Sequence, residues 1–131
     1  RMKYLLDTDI ASCAINGNAK VLSKLRANLG EWAISSLTYH ELVVGLMNCK
    51  NPNKELLITE FLKDVLVAPF SSADAFESGR LAILLRNEGK PIGDLDTLIA
   101  AHALSLKTIL VTNNEKHFSK VKELKVANWM K

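Results

Sequence analysis

Three carboxylates carry the chemistry that this chain is equipped for. Asp7 closes the apolar run Tyr4-Leu5-Leu6, Glu41 follows the apolar stretch from Trp32 to Leu37, and Asp96 opens the apolar segment that ends at Leu104. Carboxylates gathered in one cleft repel and are costly to desolvate, and a hard, oxygen-seeking cation is a usual way to hold them together. The expected site is a Mg²⁺ or Mn²⁺ centre with Asp7, Glu41 and Asp96 as catalytic and metal-binding residues. Asp9, Asp94, Thr112 and Asn114 are secondary candidates, each beside a principal acid or at an apolar strand end. Each principal acid also has a local role open to it. Asp suits the turn after a strand, Glu41 would stand third in a capping box begun by Thr38, and Asp96 would favour a helix dipole with Asp94 as N-cap. Taken singly, these positions do not separate structure from chemistry.

Other chemistries lack their signatures. His40, His102 and His117 have no metal-ligand spacing, and His102 lies on an apolar helix where a structural role is expected. Cys13 and Cys49 form neither a CxxC pair nor a metal spacing and are read as reduced thiols. Phosphate-binding glycine loops and nucleophile elbows are missing too, which removes the common nucleotide-binding and acyl-transfer readings.

The elements that must position the acids alternate in period. Tyr4-Leu5-Leu6 reads as a buried strand, 19–29 as an amphipathic helix ended by Gly30, and 32–37 as a second strand followed by a helix capped by Thr38. Beyond Asn51-Pro52-Asn53, a helix is expected over 54–63, a strand over 65–68, and a long helix from Ser72 to the Gly89 stop. A buried helix follows over 96–104, then a strand over 108–112, a short helix near Phe118 and an edge strand over 126–129. Strands separated by helices imply crossover connections and a mostly parallel sheet of four to five strands, an α/β class with helices on both faces. Ligands of such sheets bind beyond the carboxyl ends of the strands, where Asp7 and Asn114 fall directly and Glu41 and Asp96 follow if the crossovers are right-handed.

A chain of 131 residues, 48% hydrophobic and 24% charged, has room for one core, so a single domain over 2–131 is expected. Arg1 precedes Met2, the plausible initiator, and is expected to be a leftover of expression. The apolar runs are too short to cross a bilayer, and the start lacks a secretory pattern, so a cytoplasmic location without membrane contact is expected. The net charge of +3 mildly favours a polyanionic partner.

Four motifs in order resemble the PIN-domain ribonucleases of the VapC toxin type: Tyr4-Leu5-Leu6-Asp7-Thr8-Asp9-Ile10; Ser35-Ser36-Leu37-Thr38-Tyr39-His40-Glu41-Leu42; Pro91-Ile92-Gly93-Asp94-Leu95-Asp96-Thr97-Leu98-Ile99-Ala100-Ala101-His102; and Leu110-Val111-Thr112-Asn113-Asn114-Glu115-Lys116-His117-Phe118, with Asn128-Trp129 closing the chain. The resemblance spans essentially the whole chain. It implies an α/β/α sandwich and an endoribonuclease in which Asp7, Glu41 and Asp96 hold Mg²⁺ or Mn²⁺ and a cation-activated water attacks phosphorus in line. It also implies an antitoxin of the VapB type that blocks the cleft, a homodimer, and an RNA substrate that is tRNA for some relatives. Two positions depart from the family pattern. Asp9 stands where Asn is common, and Asn114 where many relatives carry a fourth Asp, shifting charge toward the first strand. One firmly held cation is therefore expected, with a second arriving alongside the RNA phosphate.

Two rival readings share these residues. Asp7-Thr8-Asp9 also resembles the nucleophile and acid of haloacid dehalogenase-type phosphohydrolases, although 131 residues leave little room for that family's core and cap. The other rival is a catalytically silent module that holds an antitoxin or RNA. A basic face around Lys116 and Lys120, continued by Lys122 and Lys125, is the candidate RNA-binding surface, although clustered lysines are more often simply a solvated face.

Overall fold

The apolar strands pair side by side because each is too short and too polar at its ends to be stable alone. In the computed structural model, which describes residues 2–131, they form one parallel sheet. Arg1, read above as a leftover of expression, lies outside the described residues. The strands are β1 (Tyr4–Leu6), β2 (Trp32–Ser35), β3 (Val67–Ala68), β4 (Ile109–Val111) and β5 (Val126–Ala127), in the order β3-β2-β1-β4-β5. All four pairings are parallel, with Leu5 opposite Ala33 and Leu110, and Leu6 opposite Ile34 and Val111.

The helices are α1 (Thr8–Ile15), α2 (Ala19–Ala27), α3 (Ser36–Met47), α4 (Pro52–Asp64), α5 (Ser72–Asn87), α6 (Asp94–Ser105) and α7 (Glu115–Phe118). Strand side chains alternate between faces. Leu5 and Leu110 therefore meet Leu81, Leu85, Ile99 and Phe118 from α5, α6 and α7, while Leu6, Ile34 and Val111 meet Ile10, Val21, Leu42 and Ile58 from α1 to α4. Two apolar clusters sandwich the sheet, as the α/β/α expectation required.

The chain winds from β1 outward through β2 to β3, then returns past β1 to β4 and β5. Strand order thus reverses at β1, and the crevice beyond the carboxyl end of the strand at such a reversal is where open α/β sheets bind ligands. Asp7 is the residue directly after β1.

Four local expectations are corrected. The segment after Asp7 is a helix, α1, which the eight residues from Thr8 to Ile15 form with Asp7 as N-cap. Strand β2 stops at Ser35, whose hydroxyl caps α3 by accepting from the Leu37 N–H at 3.0 Å, so Thr38 is not the cap and Glu41 falls in the second turn rather than in a capping box. Serine competes for the backbone N–H one turn before threonine can. Strand β3 is confined to Val67–Ala68. Finally, Gly93 rather than Asp94 occupies the N-cap of α6; its φ of 93° is one that a side-chain-bearing residue such as Asp adopts rarely, and no side chain caps this helix.

Candidate active site

Asp7 is fixed from both directions. Its backbone N–H donates to the Val111 carbonyl at 3.0 Å, extending the β1–β4 ladder by one step, and its Oδ1 accepts from the Ile10 N–H at 2.9 Å. The carboxyl is buried, and this burial pushes its pKa up to about 6. The charges of Asp9 and Asp96 push the same way, while hydrogen bonds from Thr112 and the Ile10 backbone oppose the shift. A buried carboxyl raised by acidic neighbours is where a cation has most to gain, because the cation removes the repulsion and supplies the missing counter-charge.

Glu41 reaches the same neighbourhood from α3. The Thr8 hydroxyl, one residue after Asp7, is hydrogen-bonded to Glu41 Oε1, and Thr8 Oγ1 lies 3.1 Å from the buried Thr38 Oγ1. Asp96, in the first turn of α6, faces His117 Nε2 with its Oδ2 at 2.9 Å, and the same nitrogen lies 2.7 Å from the Ile92 carbonyl oxygen. Each acid thus has a partner of its own: Thr112 for Asp7, Thr8 for Glu41, His117 for Asp96.

The oxygens present are hard donors of the kind Mg²⁺ and Mn²⁺ take, and the raised carboxyl of Asp7 fits a cation beside it. Among the described residues no three His, Cys, Asp or Glu side chains gather closely enough to cage an ion.

The secondary candidates divide. Asp9 is exposed in the first turn of α1 and near enough to raise Asp7 electrostatically. Thr112 is fully buried; its hydroxyl accepts from the Asn114 N–H at 3.0 Å and is near enough to Asp7 to oppose the rise of that carboxyl's pKa. Asn114 is exposed at the N-cap of α7. Asp94 is exposed in the first turn of α6, with no side-chain bond tying it to the other acids. Lys116 is exposed on α7 beside His117, whereas Lys120 lines a groove with Phe76 and Leu84 of α5.

Sequence reasoning passed over Thr8, Thr38 and His117. Thr8 could have been suspected from its place directly after Asp7. Nothing in the spacing announces His117, which reaches Asp96 only because α7 folds back beside α6. His102 is structural as expected: fully buried, its Nδ1 lies 2.9 Å from the Ser35 hydroxyl that caps α3. Cys13 and Cys49 are both free thiols.

Residues 4–124 match the PIN domain. The tRNA(fMet)-specific endonuclease VapC of Shigella flexneri is 35% identical over 130 residues, 98% of each chain, and ribonuclease VapC2 of Haemophilus influenzae is 34% identical over 131 residues, 98% of this chain and 99% of that one. Among solved structures, VapBC2 from Rickettsia felis bound to a DNA fragment from its promoter superposes with a TM-score of 0.88 at 33% identity, covering 98% of this chain and 99% of that chain. VapBC from Salmonella typhimurium, also DNA-bound, gives 0.90 at 27% identity with the same coverage. The haloacid dehalogenase-type reading of Asp7 and Asp9 finds no support in these matches.

Proposed function

This chain belongs to the PIN-domain family, in the branch of the VapC ribonucleases, and from that premise we propose that it is a divalent-cation-dependent endoribonuclease toxin that cleaves RNA at the Asp7, Glu41 and Asp96 cleft. The observation that carries this reading is Asp7 itself. It is buried at the strand-order reversal, beside two further acids, with its carboxyl raised to about 6.

Asp7 and Asp96 hold the cation, Mg²⁺ or Mn²⁺, and Glu41 completes the donor set. When bound, the cation supplies Lewis-acid polarisation of the phosphate and activation of water. The chain's own residues prepare the site. The Ile10 N–H and Thr112 fix the Asp7 carboxyl, Thr8 turns Glu41 toward β1, and the α6 first turn delivers Asp96. Protons compete with the cation for Asp7 below about pH 6, so cleavage falls on acidification.

One cation is held firmly at rest and a second arrives with the RNA phosphate, because Asn114 lacks the charge of an aspartate and Asp9 adds charge on the β1 side. A crystal of the RNA-free protein in Mn²⁺ is expected to show a single fully occupied position, and two would contradict this. The substrate is RNA, with tRNA the foremost candidate since a relative is a tRNA(fMet)-specific endonuclease. Lys116 and Lys120 contact phosphates. The partner is a VapB-type antitoxin that covers the cleft, as the toxin–antitoxin make-up of the structural relatives supports. The toxin acts as a cytoplasmic homodimer; among the described residues no helix is long and apolar enough to cross a membrane.

The test incubates purified protein with total cellular RNA in Mg²⁺, Mn²⁺ or chelator, beside Asp7→Ala, and maps the new ends by sequencing. Discrete ends that need both the cation and Asp7 are expected. Identical RNA in every lane would leave a silent binding module instead.

A further inference from the structure

Asp96 stands partly exposed in the first turn of α6. Its side chain is 40% exposed, and Gly93, which opens its helix, offers no side-chain cap. We propose that His117 is a positioning residue for the Asp96 carboxylate, holding Oδ2 so that Oδ1 is presented to the cation; this rests on the metal-dependent reading of the cleft.

The proton on His117 Nε2 follows from its neighbours. The Ile92 carbonyl oxygen, 2.7 Å away, can only accept, so Nε2 carries a hydrogen whatever the state of the other ring nitrogen. Asp96 Oδ2 lies 2.9 Å from the same nitrogen, as an ion-pair contact beside that hydrogen bond. The ring is itself held. It stands edge-on to Phe118, with centroids 5.5 Å apart at 90°, and Phe118 is buried in the α5–α6 core. Ile92, at the other end of the bridge, is buried in the same core. His117 thus ties the Asp96 carboxylate and the loop before α6 to one rigid anchor. Partners in the shell around metal ligands orient the ligand and lower the ordering cost of binding; their removal typically weakens metal affinity by roughly 10–100-fold. Among the described residues no donor is paired with Asp96 Oδ1.

The test measures Mn²⁺ binding to the RNA-free protein by calorimetry, with cleavage assayed in parallel, for wild type, His117→Ala, His117→Gln and Asp96→Asn. Circular dichroism and thermal melts establish that the variants are folded. His117→Ala is expected to weaken Mn²⁺ binding about 10-fold or more. Its cleavage should recover toward wild type as Mn²⁺ is raised, which a damaged fold would not allow. His117→Gln, whose amide can donate in place of Nε2–H, should regain most of the affinity, and Asp96→Asn should recover at no Mn²⁺ concentration. Wild-type affinity in folded His117→Ala would overturn the positioning role while leaving the nuclease reading intact, as would a Gln variant no better than Ala. A wild-type protein that neither binds Mn²⁺ nor cleaves would overturn both.

Discussion

Helix α6 carries a histidine–aspartate pair at each end, and the two pairs differ in almost everything but composition. Near its carboxyl end, His102 Nε2 lies 3.6 Å from Asp74 Oδ2 of α5, with side chains 0% and 8% exposed; at its start, Asp96 meets His117 at 2.9 Å, with 40% and 26% exposed. Burial, first of all, drives the His102 pKa down, with Asp74 opposing, and its Nε2 has no hydrogen-bond partner among the described residues. Burial also acts to raise Asp74, but hydrogen bonds from Ser105 and Ser71 and the nearby His102 outweigh it and hold that carboxyl below its usual range. The inner pair is therefore part of the fold, joining the Ser35 cap of α3 to α5 and α6. The outer pair is partly exposed, so that in the role proposed for it the Asp96 carboxylate keeps His117 on Oδ2 and leaves Oδ1 open to a cation. The same pair of residue types is thus buried in the core at one end of α6 and partly open to solvent at the other.

The widest separation should come from removing the two aspartates. Asp96→Ala is expected to lower single-turnover RNA cleavage by roughly 10³-fold, the scale for losing a group that stabilises transition-state charge. Asp74→Ala should leave cleavage per folded molecule within about twofold while losing the capping box of α5, a cost of about 1 kcal/mol. The reverse pattern would exchange the roles assigned to the pairs.

Truncating the histidines should reverse the order in stability. His102→Ala empties a fully buried site and frees the Ser35 hydroxyl, and urea unfolding should report a loss of about 3 kcal/mol. His117→Ala, at the surface, should stay within about 0.5 kcal/mol of wild type.

The buried acid of the cleft should show the opposite sign to the buried histidine. The raised Asp7 makes a stability contribution that is fully present below its unfolded pKa near 3.8 and is lost as pH rises through about 6. Asp7→Asn should therefore stabilise the cation-free protein at pH 8 by about 2 kcal/mol, with the gain shrinking toward pH 4, even as cleavage disappears. His102, lowered in the fold, contributes stability that is present above its model-peptide value of 6.5 and declines as pH falls from there toward its folded pKa. Urea titrations from pH 8 to pH 4 on Asp7→Asn and His102→Gln separate the two. An Asp7→Asn gain that grows on acidification would contradict the burial of charge at Asp7.

The smallest effect distinguishes the two ends of α6 by linkage. Mg²⁺ at ten times its dissociation constant should raise unfolding free energy by about 1.4 kcal/mol. Thermal melts should show that increment in wild type and Asp74→Asn and lose it in Asp96→Asn.

Legibility of the chain followed the range of the forces involved. The apolar period of Tyr4-Leu5-Leu6 and of Ile109–Val111 announced parallel strands because burial on both faces leaves no polar alternation. Helix α1 was missed since its apolar residues, Ile10, Ala11, Ala14 and Ile15, are few and its cap, Asp7, was assigned to chemistry. Asp7 caps the helix by accepting the Ile10 N–H and also feels the charges of Asp9 and Asp96, so the two readings do not exclude each other. The start of α3 was misplaced because Ser35 and Thr38 are both competent caps, and only the end of the β2–β3 pairing at Ser35 chooses between them.

By itself the sequence determined the α/β class, the order of the long helices and, through four motifs in order, the family, and it nominated the three acids. These depend on local periodicity and on residues whose types and spacing survive without coordinates. Tertiary structure alone decided which partner each acid keeps. Thr112 reaches Asp7 through the β1–β4 ladder, Thr8 meets Glu41 across 33 positions of sequence, and His117 finds Asp96 because α7 returns beside α6. Hydrogen bonds act over about 3 Å of space and are indifferent to separation along the chain, so no window of sequence could have displayed them.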